Sequence, residues 1–484
     1  MKLLKKDPSI PSRIIKLIVF VQCYMIIGNV ILYGQTPTPT DSTSQKPLDS
    51  IGPSLLDMLT DDTGMFPNEE EQEVVADSTT GSFWKKYVFE PTRLGISYEL
   101  TYKFTKPDEL IKNRFAFRVE YSKFLFNNFF LQLDTKFFTF LEGDARSRPI
   151  NFFINDNERR RELAFGSITR NAYLQYSFGL TSIKVGIQTL AWGESDFAAV
   201  VDEINPFDFR DPLNLNIDEL RLGQFMLSLN LYSSIGNWSG FFVPNARFNL
   251  FPEEGTRFFV DPFEGRNVTI EQEKAASNSF EYGIRWKKTF GKSDISIIAT
   301  SLIDNNITRR EVDSDVILES ERRFTTLGSS FNYAVGNLLI RGEAAFKFPR
   351  TYNDANLQLI ERDAFDSTLS FEYAPDSRTT YGLELVHNHI LDWTNEITGV
   401  PRNDYSLFLS YGKQFLKNDL SVNLISLVNW PYFTSFNLLS AAYKWNDNIT
   451  LSLDTLVPIT NDERSGLFQF REQQQFAFKI QLLF

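Results

Sequence analysis

From Phe83 to its end the chain alternates apolar and polar residues with period two, in segment after segment, and this limits it to strands with two unlike faces. Phe115, Phe117, Val119 and Tyr121 alternate with Arg114, Arg118 and Glu120, and Phe476, Phe478, Ile480, Leu482 and Phe484 alternate with Ala477, Lys479 and Gln481. Two architectures accept such strands. A soluble sandwich turns the apolar face to a second sheet and the charged face to water. A transmembrane barrel turns the apolar face to lipid and the polar face to its lumen.

The connections separate the two. Alternation and turn residues predict strands over 96–104, 114–124, 128–140, 168–178, 181–192, 222–234, 237–245, 279–290, 293–303, 323–335, 337–348, 365–374, 377–390, 404–415, 418–430, 434–445, 447–457 and 473–484. Every second link is a tight turn at Asn127-Asn128, Gly179-Leu180, Gly236-Asn237, Gly291-Lys292, Gly336-Asn337, Pro375-Asp376, Lys417-Asn418 or Asn446-Asp447. Gly, Asn and Asp supply the positive φ that tight hairpins demand. The intervening links are mostly long, near 141–167, 193–221, 246–278, 304–322, 349–364 and 458–472. Short turns on one rim, long loops on the other and an even strand number predict an all-β, antiparallel outer-membrane barrel of about 18 strands, with 16 as the near alternative. A barrel of either size encloses an aqueous lumen unless loops plug it.

Composition agrees. The chain holds 46 Phe and is 15% aromatic, yet its mean hydropathy is −0.23. Apolar and polar residues therefore share segments, which is not how a helical membrane protein is written. A net charge of −12 and a pI near 5.0 argue against nucleic acid as a partner. One Cys excludes a disulfide framework and any multi-thiolate metal site.

The N-terminal stretch reads as an address. Lys2, Lys5, Lys6, Arg13 and Lys16 precede an apolar run from Leu17 to Tyr33 that ends at Gly34, Gln35 and Thr36, so residues 1–35 read as a signal peptide. A membrane anchor is the alternative; Gln22 and Asn29 weaken it. Phe20-Val21-Gln22 before Cys23 lacks the small residue of a lipoprotein cleavage site, and cleavage near Gln35 removes Cys23. Residues 36–82 follow as a Pro-, Thr- and Asp-rich segment with ten acids and one base, most of the chain's acidity, and are expected to be disordered in the periplasm. Within it Leu55, Leu56, Met58 and Leu59 form one amphipathic turn, read first as a sticky stretch of linker and more sharply as a docking peptide for a periplasmic partner. The barrel then occupies 83–484 and ends on Phe484, a C-terminal aromatic like the signal read by the barrel-assembly machinery.

One stretch departs from plain alternation: Val185-Gly186-Ile187-Gln188-Thr189-Leu190-Ala191-Trp192-Gly193-Glu194-Ser195-Asp196, then Asp202-Glu203-Ile204-Asn205-Pro206-Phe207-Asp208-Phe209-Arg210-Asp211. A strand ending at Trp192 leads into a loop of nearly thirty residues, longer than a structureless connection usually runs. Either it is a solvated surface loop, or it folds inward on Phe207 and Phe209 and narrows the pore. The inward reading makes Trp192, Glu194, Asp196, Asp202, Glu203, Asn205, Pro206, Asp208, Arg210 and Asp211 the candidate pore-loop residues.

At these residues the chain resembles the outer-membrane family called domain of unknown function 1302, whose members carry a similar V/R-x-G-x-Q-x-x-x-W-G-E strand followed by I-N-P-x-D. Here the matching positions are Gly186, Gln188, Trp192, Gly193, Glu194, Ile204, Asn205, Pro206 and Asp208, within 183–211. Ile187 stands where that family would place an Arg, which puts any role of that Arg in the lumen charge in doubt. The resemblance implies work beside an inner-membrane exporter of the resistance-nodulation-division type and a periplasmic or lipoprotein carrier. That points to export of lipid-like or lipoprotein cargo, with outer-membrane lipid as surroundings. A passive porin and a structural anchor for a surface assembly are the alternatives.

Residues for other chemistry are few. His387 and His389 are the two histidines, spaced by two on one strand, and are read as polar residues of the lumen wall with metal ligation as a lesser alternative. No local Ser stands ready for a lipase, and no phosphate loop or metal-spaced Cys set appears. No catalytic residue, cofactor or metal site is therefore assigned, and the chain is not read as an enzyme. Trp192, Trp238, Trp393, Trp430 and Trp445 near strand ends fit interfacial girdles.

Overall fold

A computed structural model describes residues 85–484 apart from 107, 127, 143–163, 199, 212, 215–219, 253–257, 264, 274–278 and 314. The expected signal peptide, the acidic segment and Leu55, Leu56, Met58 and Leu59 lie outside the described residues.

The alternating segments form β1 (Thr92–Lys103), β2 (Glu109–Phe126), β3 (Phe129–Glu142), β4 (Ala164–Phe178), β5 (Thr181–Gln188), β6 (Gln224–Leu231), β7 (Asn237–Val243), β8 (Thr269–Gln272), β9 (Glu281–Phe290), β10 (Ser293–Ile303), β11 (Thr308–Asp313), β12 (Val316–Ser320), β13 (Arg323–Val335), β14 (Leu338–Asn353), β15 (Leu359–Asp376), β16 (Thr379–Ile390), β17 (Asn403–Phe415), β18 (Leu420–Trp430), β19 (Thr434–Asn446), β20 (Ile449–Thr460) and β21 (Gln475–Leu483). Eighteen of them make one antiparallel sheet, and β8, β11 and β12 make a separate small one. The large sheet closes because β1 pairs with β2 on one side and with β21 on the other, in register from Gly95↔Leu483 to Lys103↔Gln475. Phe484 completes the seam: its amide donates to Leu94 O at 2.9 Å and its carbonyl accepts from Leu94 N at 3.1 Å. Closure leaves no unpaired strand edge in the membrane.

Burial decides between barrel and sandwich. Along β6 the outward residues Phe225 and Leu227 are 52% and 45% exposed, while the inward Gln224 is 0% exposed. On β14 and β16 the inward Lys347 and Glu384 are 2% and 1% exposed, whereas Phe346 and Leu385 stand outside. Apolar side chains outside and charges inside suit lipid as the surrounding solvent.

The tight turns fall on one rim, with Gly179, Gly291 and Gly336 at φ of 55°, 62° and 56° in two-residue hairpins. Three are displaced from the expected positions: to Ser377-Arg378 and Asp447-Asn448, since β15 and β19 run through Asp376 and Asn446, and to the five residues 232–236, since β6 ends at Leu231 and β7 begins at Asn237. The long links differ more. Residues 349–364 are mostly strand, because β14 continues past Pro349; the missing amide falls within a register shift between Lys347 and Arg350, after which Arg350 pairs with Arg362. Links 246–278 and 304–322 share the small sheet, in which β12 pairs with β11 and, in parallel, with β8. β5 ends at Gln188 rather than at residue 192, and there the chain turns inward.

Candidate functional site

The lumen is crossed by the segment between β5 and β6. Its departure is set by Asn205, 1% exposed, whose Oδ1 accepts from Leu190 N–H at 2.7 Å and whose Nδ2 donates to Gln188 O at 3.2 Å and Leu222 O at 2.9 Å. One side chain thus satisfies backbone groups that the end of a ladder leaves without partners. Gln188 donates to Met226 O at 2.9 Å and accepts from Ser228 Oγ at 2.8 Å. At Gly186 (φ 133°) a Cβ would meet Ala172 O at 2.3 Å, so only glycine fits.

Charges on the opposite wall hold the segment across the lumen. Glu194 takes Lys287 of β9 at 2.9 Å and Asn332 of β13 at 3.0 Å. Glu343 of β14 accepts the amides of Ser195 at 2.7 Å and Val201 at 3.3 Å, and that of Glu194. Glu384 of β16 accepts Ser195 Oγ at 2.6 Å and Asp196 N–H at 3.1 Å. Arg341 grips Asp196 and also Glu372, the latter at 3.0 Å. Lys347 and Arg350 each meet Glu203 at 3.2 Å. Further along, Asp202 pairs with Arg221 at 2.9 Å, Arg210 with Asp208 at 2.5 Å, and Asp211 reaches Lys112 of β2 at 2.6 Å. Pro206 O accepts from Leu222 N–H at 2.8 Å. Beneath these charges Trp192, Val200, Val201 and Ile204 pack with Met226, Phe241 and Ile298 in a dry cluster, and Phe197 stacks on Phe408 of β17 at 4.9 Å.

Beside the crossing segment lies a cavity of about 1220 Å³. Its wall is chiefly apolar: Phe207 and Phe209 from the segment, Phe251 and Phe258 from the next long link, Ile425, Leu427 and Phe436 from β18 and β19, and Phe470 from the link before β21. A smaller chamber of about 170 Å³ adjoins it at Asn214 and Ile425, and is lined by charges: Glu99, Lys112, Arg114, Asp211, Asp454 and Lys479. A large apolar cavity with a few convergent polar groups is the usual form of a ligand site.

The family described as "Protein of unknown function (DUF1302)" matches residues 109–450. The chain belongs to this family. Two solved structures share the architecture of this DUF1302 barrel: Acinetobacter baumannii OccAB2, at 10% identity over 81% of this chain and 97% of that chain with a TM-score of 0.50, and Pseudomonas aeruginosa OccK8 (OprE), at 9% identity over 81% and 97% with a TM-score of 0.50. At such identity the likeness is one of fold. The fold is that of outer-membrane porins and places the chain in the bacterial outer membrane. No curated protein matches the sequence.

Within the DUF1302 barrel the ten expected pore-loop residues all lie on the crossing segment or at its root. Trp192 is no girdle residue: it is 1% exposed and packs edge-on against Phe241 at 5.2 Å, because the chain leaves the wall before it, while Trp238, Trp430 and Trp445 do stand outside. His387 and His389 do not line the lumen. They share the outward face with Leu385, and both lie within hydrogen-bond distance of Asn403 Oδ1, at 3.0 and 2.7 Å, because the inward positions of β16 are Glu384 and Val386. Ile187 pairs with the outward Phe225, so position 187 does not contribute to lumen charge. The apolar cavity went unread in the sequence. Its signal is the loss of alternation in β18, where Leu424-Ile425 and Leu427-Val428 put apolar residues on both faces and Ile425 and Leu427 line the cavity.

Proposed function

We propose that this barrel is the outer component of an envelope export route for lipid-like cargo, lipidated protein included. The observation that carries the reading is the aromatic cavity of about 1220 Å³ inside a barrel whose inner wall is otherwise charged. Each methylene moved from water onto the apolar part of such a wall gains about 0.8 kcal/mol, which favours hydrocarbon there, while Arg221, Arg309, Glu319 and Arg341 on the same wall can meet a polar headgroup. The crossing segment acts as the gate, since it forms one wall of the cavity and is held by ion pairs rather than by a ladder.

The test is affinity capture from native envelopes, with mass spectrometry of bound lipids and proteins. An enriched lipid-like molecule is expected; barrel alone, with no lipid above the envelope background, would remove the reading. The partner side follows from the family resemblance: an inner-membrane exporter of the resistance-nodulation-division type and a periplasmic or lipoprotein carrier, met through residues 36–82 and the apolar residues Leu55, Leu56, Met58 and Leu59 within them. Deleting 36–82 is expected to leave barrel assembly intact and weaken capture of such a partner; unchanged capture takes the segment out of the mechanism.

A second reading, passive passage of small solutes, is favoured by the charged chamber beside the cavity, which offers polar groups to a hydrated path. It predicts steady ion conductance of the purified protein in planar bilayers.

A further inference from the structure

The barrel wall is uneven in height. β5, β6 and β7 have 8, 8 and 7 residues, whereas β14 and β15 have 16 and 18. A tilted strand needs about 9–11 residues to cross the hydrocarbon core, so the ladder of β5–β7 stops short of the outer leaflet's surface. Above it the wall is continued by stretches of two long links. Two backbone bonds hold the first link to itself, Asp208 N–H to Leu220 O at 2.7 Å and Leu222 N–H to Pro206 O at 2.8 Å, and among the described residues two join it to the second, Phe209 N–H to Leu250 O at 2.7 Å and Leu250 N–H to Phe207 O at 2.9 Å.

This patch also forms part of the cavity wall. Phe207 and Phe209 stack with centroids 5.7 Å apart, Phe209 meets Phe251 at 5.8 Å, and all three line the cavity. Phe251 is at the same time 51% exposed. These rings line the cavity on a patch whose other face carries Leu250, 37% exposed and not part of the cavity wall, just above strands whose outward Phe225, Leu227 and Phe242 meet lipid. Leaving by the long-loop mouth would instead put a hydrocarbon chain into water, against a partition of about fourfold per methylene.

We propose that the cavity is a binding site for an acyl chain of a membrane lipid, and that the chain passes sideways between cavity and outer leaflet through the Phe207–Phe209–Phe251 patch above β5–β7. This rests on the reading of the barrel as a carrier of hydrophobic cargo and adds its route and the class of group held. The patch suits the task because, among the described residues, the two links are joined there by two backbone bonds and by the bond from Phe207 N–H to Asn249 Oδ1, whereas parting two neighbouring strands elsewhere in the barrel would break a continuous ladder.

The test uses the full chain in phosphatidylcholine vesicles with a photoreactive phenylalanine analogue at one position at a time: Phe225 on the lipid face, Phe251 at the patch and Phe258 in the cavity. Barrel folding is checked by heat-resistant migration. Phospholipid adducts are expected at all three. In a Cys23→Ser background, joining Phe209→Cys to Phe251→Cys with a short bis-maleimide is expected to lower the Phe258 adduct at least tenfold; where that pair fails to assemble, Phe251→Arg alone is expected to lower it severalfold. A Phe258 adduct insensitive to closure or to the Arg overturns the sideways route and leaves the carrier reading standing. No adduct at Phe258, with Phe225 still labelled, shows that the cavity does not take acyl chains and overturns both.

Discussion

At the scale of single residues, one uncharged side chain binds as many backbone groups of the lumen segment as Glu343 does. Asn205 is neutral, fully enclosed and bonded to three backbone groups from two stretches of chain. Asn205→Ala leaves those groups without partners at about 1–3 kcal/mol each, so a loss of roughly 3 kcal/mol or more is expected in the denaturant midpoint of the refolded barrel. Asn205→Asp keeps the shape and the acceptor for Leu190 N–H but removes the donor to Gln188 O and Leu222 O, and is expected to be hardly milder. Equal stability of Asn205→Ala and the parent would refute this. The Ile-Asn-Pro-x-Asp stretch was legible in the sequence as something other than plain alternation, but the task of its Asn was not. An asparagine that completes a ladder and one that lies on a surface loop are written identically, and only the position of Leu190 and Leu222 distinguishes them.

At the scale of elements, the crossing segment is tied to the wall by acids and bases on opposite sides of the lumen. Glu343→Ala frees the amides of Glu194, Ser195 and Val201 at once. Bonds to a charged acceptor are each worth about 1.5–3 kcal/mol, so the variant's segment is expected to be cut by protease added to detergent-solubilised barrel at least tenfold faster, with the barrel itself resistant. Deleting residues 196–211 is expected to raise single-channel conductance, because the chain that spans the lumen is then gone; unchanged conductance in a folded barrel would mean that the path is closed elsewhere. The direction of this segment was an even choice in the sequence, where its acids suit water as well as they suit Arg341, Lys347 and Arg350. In the structure those bases lie on inward positions of β14 and meet Asp196 and Glu203 of the segment. The displaced end of β5 has the same origin, since alternation persists through Trp192 while the backbone partners that would make it strand are supplied by Asn205 instead.

At the scale of the whole molecule, the barrel is an inverted globule whose outer face is solvated by lipid. Leu327, 51% exposed near the middle of β13, is a direct probe. Leu327→Arg is expected to cost about 2–4 kcal/mol in a bilayer, read as a lower unfolding midpoint in vesicles. Leu327→Phe should leave it unchanged. A water-soluble sandwich would reverse that order. Strand number, the two unlike rims and the outward face follow from local rules: period two selects the pleat, Gly and Asn turns select tight hairpins, and the alternation of short and long links assigns the rims. Each depends on residues within a few positions of one another, so the sequence by itself determined them. The inward course of the crossing segment, the outward histidines, the strand through Pro349 and the aromatic cavity depend on which strands are neighbours across the lumen. Phe209, Phe258, Phe436 and Phe470 are far apart in the chain, and nothing local marks them as one surface. Only closure of the eighteen strands brings them together, because the shape of a lumen is a property of the whole ring.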